Sequence, residues 1–139
     1  MIQKPFKVLG IEHIGIAVDD LNGISDVFGD LFGIELRSRE KVDDQQVITD
    51  IYETGIGKLE FLKATDKNSP ITRFIEKNGS GMHHIALKVD NLVAALDYLD
   101  GQGIQLIDKF PRIGAEGFKI AFLHPKSTGG ILIELCESM

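Results

Sequence analysis

The 139-residue chain has one cysteine, Cys136, so it forms no internal disulfide. That suits a reducing compartment, and a cytoplasmic location is expected. No segment approaches the ~18 consecutive apolar residues of a membrane-spanning helix. Residues 1–7 lack the apolar run and small-residue cleavage site of a secretory leader. Positive charge is scarce too: 15 Lys and Arg against 21 Asp and Glu leave a net charge of −6, with no basic cluster. This balance argues against nucleic acid or an anionic membrane as the main partner, since both are bound through grouped cations. It leaves room for an anionic small molecule, because a bound metal or a few local cations reverse the potential inside a pocket. With 43% hydrophobic and 26% charged residues, the composition is that of a globular chain large enough for one domain spanning 1–139.

What the chain does contain is a repeat. His13 to Leu21 reads H-I-G-I-A-V-D-D-L, and His84 to Leu92 reads H-I-A-L-K-V-D-N-L. Gly33-Ile34-x-Leu36 then matches Gly103-Ile104-x-Leu106, and Lys58-Leu59-Glu60-Phe61 matches Leu132-Ile133-Glu134-Leu135. The three matches are offset by 71, 70 and 74 residues, so the register hardly drifts across half the chain.

Each copy opens on an alternating strand. Ile14, Ile16 and Val18 oppose His13, Gly15 and Ala17; Ile85, Leu87 and Val89 oppose His84, Ala86 and Lys88. The branched face is expected under a helix, and the small-residue face with its histidine along a cavity. The first helix is predicted from Ile24, Val27, Phe28, Leu31 and Phe32, with Asp19 or Asp20 as its cap and Gly33 as its stop. The second carries Leu92, Ala95, Leu96 and Leu99, with Gly101 near its end. Strands are expected at 34–38, 46–53 and 58–63, and again at 104–108, 118–123 and 131–136. Ser69-Pro70 starts a joining helix over about 69–79, ended by Asn78-Gly79. The expected class is α+β: two tandem βαβββ modules, about 8–64 and 82–138, forming a curved mixed sheet around a shared cleft that contains a metal.

The metal follows from strand faces. Glu60 and Glu134 lie within apolar strands, where an ionised carboxylate is costly unless compensated. One His and one Glu from each copy, His13, Glu60, His84 and Glu134, together neutralise a divalent cation. Their nitrogen and oxygen donors suit Zn, Co, Mn, Ni or Fe(II), unlike the thiolate-rich set of structural zinc. Only His84 aligns with His13; His83 is expected to point with Ile85 and act structurally, or at most to support a ligand from behind. Cys136, on the face of Glu134, reads as packing.

This paired architecture resembles the vicinal oxygen chelate superfamily, which includes glyoxalase I and extradiol dioxygenases. The strings Asp66-Lys67-Asn68-Ser69-Pro70-Ile71, Phe74-Ile75-Glu76-Lys77-Asn78-Gly79, Gly81-Met82-His83-His84-Ile85 and Phe122-Leu123-His124-Pro125-Lys126 are similar to the methylmalonyl-CoA epimerase family. The resemblance spans nearly the whole chain. It implies interconversion of (2S)- and (2R)-methylmalonyl-CoA through a metal-stabilised enolate, with an acyl-CoA as partner and one divalent ion (Co, Zn, Mn or Ni) as cofactor. Superfamily members are often homodimers, and the same is expected here. The family's ligands map to His13, Glu60, His84 and Glu134, and Glu134 maps to one of two acid–base groups. The other maps to Thr49, a poor proton acceptor, with Asp50 and Glu53 nearby. His124 and Lys126 are candidates for substrate contact or for a turn, and Lys109, Arg112 and Lys119 for CoA phosphates or plain surface charge. A glyoxalase-type lyase acting on a thiol hemithioacetal is the alternative enzyme. A ligand-sequestering protein of the same fold is the non-catalytic alternative, and the intact quartet argues against it.

Overall fold

The computed structural model describes residues 3–139. The chain divides into two compact units: residues 13–83, and residues 84–139 together with the segment up to Glu12. Both are built from mixed β-sheet flanked by helices.

In the first unit the strand order is β2-β3-β4-β1, formed by β1 (Val8–Ala17), β2 (Glu35–Val42), β3 (Val47–Glu53) and β4 (Lys58–Ala64). β1 and β4 run parallel, and the other neighbours run antiparallel. Val18, Leu21, Tyr52 and Phe61 form the core on one face, where Ile16, Ile24, Phe28 and Ile34 pack against them. The Phe28 and Phe61 ring centroids are 4.8 Å apart, and Tyr52 stands edge-on to Phe61 at 5.6 Å. The branched face of β1 thus packs as its alternation predicts.

The helix between β1 and β2 departs from expectation. Ser25–Leu31 is a π-helix, in which the Phe32 N–H donates to the Val27 carbonyl five residues back at 2.9 Å. No side chain caps it; Asp20 instead accepts from the Asn22 N–H in a local turn. A wider turn keeps i and i+4 in line, so Ile24 and Phe28 reach the core. It rotates i+3 and i+7 outward, leaving Val27 and Leu31 exposed. Gly33 does stop the segment, at φ +72°.

β5 (Gly81–Val89) precedes α2 (Leu92–Gly101), and the second unit then continues with β6 (Arg112–Ile113), β7 (Lys119–Leu123) and β8 (Ile133–Glu137), in the order β5-β8-β7-β6. β5 and β8 are parallel. On one face α2 packs Leu92, Ala95 and Leu96 against Val89, Ala121, Leu123 and Leu135. The opposite face holds Ala86, Ile120, Phe122 and Cys136. The predicted strand at 104–108 is absent: Leu106 makes only an isolated bridge to Leu123, and the N–H groups of Ile107 and Asp108 both donate to the Phe122 carbonyl. Two successive donors on one acceptor break the ladder, so sheet pairing resumes only at Arg112.

α1 (Pro70–Asn78) joins the modules and begins as predicted. Ser69 is its N-cap, its Oγ accepting from the Ile71 N–H at 3.2 Å, and Gly79 at φ +76° ends it. Ser69 is fully buried and its hydroxyl also donates to the Gln45 carbonyl. Ser69→Ala is expected to cost about 1 kcal/mol and to lower the thermal midpoint by roughly 4 °C, read by calorimetry. Among the described residues no helix is long and apolar enough to cross a membrane.

Candidate metal centre

The register of the parallel strand pairs builds the same local device in both units. Gly15 on β1 lies opposite Glu60 on β4, and His13 is two residues before Gly15 on the same face. Ala86 on β5 lies opposite Glu134 on β8, and His84 is two residues before Ala86. A glycine and an alanine at these positions leave open the space beside each glutamate, and the imidazole fills it. His13 Nδ1 sits 3.0 Å from Glu60 Oε2 in the first unit. In the second unit His84 Nε2 sits 3.5 Å from Glu134 Oε1. All four residues are buried, at 4–5% relative exposure.

Burial makes the chemistry of these pairs specific. A carboxylate held in a low-dielectric strand interior needs a positive partner, either a protonated imidazole or a cation. His13, His84 and Glu134 form one buried group suited to holding a metal ion, and Glu12, His13 and Glu60 form another. Nitrogen and oxygen donors of this kind fit a first-row divalent ion, and the two carboxylates match its charge. The residues present therefore fit a divalent metal.

The neighbours of the predicted ligands fall where strand alternation puts them. His83 packs edge-on against Phe74 at 5.0 Å, and burial lowers its pKa to about 4. It is neutral at pH 7. The His84 ring stands edge-on to Phe122 at 5.5 Å, which fixes its plane. Cys136 is fully buried, with Sγ 3.6 Å from the Leu87 carbonyl oxygen. His124 Nδ1 accepts from the Lys126 N–H at 3.0 Å, so it serves the turn. Arg112 pairs with Asp108 at 3.3 Å and lies over the Phe122 ring, which gives it local partners.

Thr49 shares the face of Glu60 through its partner Leu62 on β4. It is fully buried, and its hydroxyl has no hydrogen-bond partner. Asp50 is on the opposite face, gripped by Arg39 through bonds of 2.6 and 2.9 Å. That bond to Asp50 raises the Arg39 pKa. Glu53 pairs with Arg37 at 3.1 Å. Asp50 is thus off the face of Thr49, while Glu53 shares that face two alternations further along β3 and is held by Arg37.

Comparison with known proteins agrees with this geometry. The model of the glyoxalase/bleomycin resistance protein/dioxygenase superfamily matches residues 12–122. A Bacillus subtilis protein named only as uncharacterized YqjC is 41% identical, the match covering 91% of each chain. The mouse mitochondrial methylmalonyl-CoA epimerase is 35% identical over 94% of this chain and 74% of its own. A solved structure of a methylmalonyl-CoA epimerase in complex with methylmalonyl-CoA and NH4+ superposes with a TM-score of 0.89 at 31% identity, covering 95% of this chain and 96% of that one. The chain belongs to the methylmalonyl-CoA epimerase family within the glyoxalase/bleomycin resistance protein/dioxygenase superfamily.

Proposed function

We propose that the protein interconverts the two C2 epimers of methylmalonyl-CoA, with one divalent ion held by His13, Glu60, His84 and Glu134. The observation that carries this reading is the duplicated buried His–Glu pair, present once in each unit at repeat-equivalent positions. A single pair reads as an internal ion pair; two such pairs raised from the same strand register read as two halves of one ligand set.

The C2 hydrogen of the substrate lies between a thioester and a carboxylate, so its removal leaves charge on two carbonyl-type oxygens. A divalent ion bound by this ligand set is a Lewis acid toward such oxygens, a contribution of several kcal/mol, roughly. Glu134 moves the proton at C2, a role typically worth ~10²–10⁴-fold. The buried surroundings of His84 and Glu134, with Phe122 and Cys136 beside them, exclude water that would otherwise solvate the carboxylate. Epimerisation moves one proton off and one on, so no redox partner is needed. A homodimer in the cytoplasm is part of the same proposal, and its support is family analogy and the single buried cysteine.

Mixing the metal-loaded protein with methylmalonyl-CoA in D2O is expected to place deuterium at C2 while the epimers equilibrate, followed by NMR. Exchange no faster than with the metal-stripped protein would overturn the assignment.

A further inference from the structure

A malonyl-type thioester carries an anion besides its coenzyme A phosphates: the free carboxylate on C2. The two ligand carboxylates already match a divalent ion in charge, so a counter-charge for the substrate's carboxylate is to be sought in the chain.

The cations on the strands of the second unit sort by face. Arg112 on β6 is the partner of Ile120, Ile120 of Cys136, and Cys136 of Lys88. Partners in a row share a face, and Cys136 shares its face with Glu134 two residues earlier. The neighbouring row on that face carries Phe122, Glu134 and Ala86. Lys119 alternates with Ile120 and falls on the opposite side. Arg112 and Lys88 are thus the strand cations of this unit that share a face with Glu134.

These two are held very differently. The Arg112 guanidinium lies 5.7 Å from the Phe122 ring centroid, and its Nε is 3.3 Å from Asp108 Oδ1. Asp108 is itself fixed, its Oδ2 accepting from the Phe122 N–H at 2.8 Å. One carboxylate therefore ties the arginine to the backbone of the aromatic residue beneath it. β6 is also pressed onto β7 here, since a Cβ on Gly114 would meet the Ile120 side chain at 2.9 Å. Nε is buried while the side chain is 33% exposed, so both Nη groups are left open to a ligand. Lys88 is half-buried and makes no ion pair among the described residues. It is a mobile point charge, whereas Arg112 is a fork already set in its plane.

The same Phe122 ring stands edge-on to His84 at 5.5 Å. The guanidinium carbon is thus no farther from the imidazole centre than these two ring distances combined. The phosphates of a coenzyme A thioester are separated from the acyl carbon by the whole pantetheine arm. A cation this near His84 faces the acyl end.

We propose that Arg112 binds the free carboxylate of the acyl group and selects thioesters that carry one over simple acyl-CoA thioesters. The inference rests on the epimerase reading above and extends it to substrate choice. The Nη groups donate to the two carboxylate oxygens, Asp108 holds the plane of the fork, and Phe122 supports its face. Arg112 moves no proton; it sets specificity.

The test measures binding of methylmalonyl-CoA and propionyl-CoA to the metal-loaded protein by isothermal titration calorimetry. The two ligands differ by the carboxylate alone. Arg112→Met keeps an unbranched stem on Phe122 and removes the charge. It is expected to weaken methylmalonyl-CoA by about 10–100-fold and propionyl-CoA by less than about threefold, with circular dichroism unchanged. Arg112→Lys should recover part of the loss, because it returns the charge without the fork. Lys88→Met should leave both affinities within about threefold of wild type. Equal weakening of both ligands in Arg112→Met would place the arginine at the phosphates and overturn the proposal, as would an unchanged methylmalonyl-CoA affinity. A selective loss in Lys88→Met alone would overturn it in favour of Lys88. Should Arg112→Met fail to fold, Arg112→Lys is read the same way, with a smaller selective loss expected. Wild type that prefers methylmalonyl-CoA yet exchanges no C2 hydrogen in D2O would remove the epimerase reading and leave this assignment standing. Wild type that binds the two ligands equally, or neither, would remove this assignment.

Discussion

His84→Ala is expected to reduce bound divalent metal from about one ion per chain to below roughly a tenth, and epimerisation by at least about 10³-fold. Metal is measured by elemental analysis after dialysis, alongside circular dichroism. The large effect follows from burial. The imidazole is 3.5 Å from Glu134, both groups are about 4% exposed, and water has little access to replace the lost ligand. His83→Ala is the matched control. Its side chain packs on Phe74 and lies on the opposite face of β5, so metal content should stay near wild type. Full occupancy in His84→Ala, or equal loss in both variants, would refute the assignment of His84 rather than His83 as the ligand.

Glu134→Gln is expected to lower kcat for epimerisation by about 10³-fold or more, while KM changes by only a few-fold. The amide has the size of the carboxylate and still offers an oxygen, so packing against Ala86, Phe122 and Cys136 is kept. It lacks the negative charge and the proton affinity, and those are what proton transfer at C2 requires. Glu60→Gln provides the contrast. Glu60 lies opposite Gly15 in a setting equivalent to that of Glu134 opposite Ala86, but it is assigned only a ligand's task. Its neutral variant should lose metal affinity and retain kcat within about tenfold once metal is supplied in excess. Equal kcat losses in the two variants would mean that the proton chemistry is not localised at Glu134.

The two buried His–Glu pairs were legible through symmetry. Alternation within β1 and β5 separates His13 and His84 from Ile14 and Ile85, and the repeat pairs each histidine with a glutamate on its own last strand. The register shows why that works: in both units the glutamate faces a small residue two positions after the histidine. The capping of α1 was also legible, because Ser69, Pro70 and Gly79 carry local backbone preferences that need no tertiary partner.

Features that depend on relations between segments were hidden. The π-helix after β1 has the composition of an ordinary amphipathic helix, and its five-residue hydrogen-bond spacing changes which residues reach the core. Residues 104–108 alternate like a strand, yet two of their N–H groups converge on one carbonyl. The place of Glu40 likewise depends on how β2 pairs with β3. The tight turn at Asp43–Gln45, closed by Gln46 in the left-handed region at φ +53°, sets Glu40 opposite Thr49. A register shift between Leu36 and Ser38 then ends that regular pairing.

The assignment of the first dozen residues to the later unit has a consequence for biosynthesis. Lys7 exchanges backbone hydrogen bonds with Asp90, the Lys7 N–H donating to the aspartate side chain and the Asp90 N–H to the Lys7 carbonyl, while Phe6 lies against Tyr98. These partners are more than eighty residues apart, so during translation the leading segment emerges long before the surface it joins. The unit of residues 13–83 is contiguous and is able to form first, whereas its counterpart waits for nearly the whole polypeptide. A nick placed in the joining segment would therefore not yield two self-sufficient halves, because one would carry away the other's opening segment.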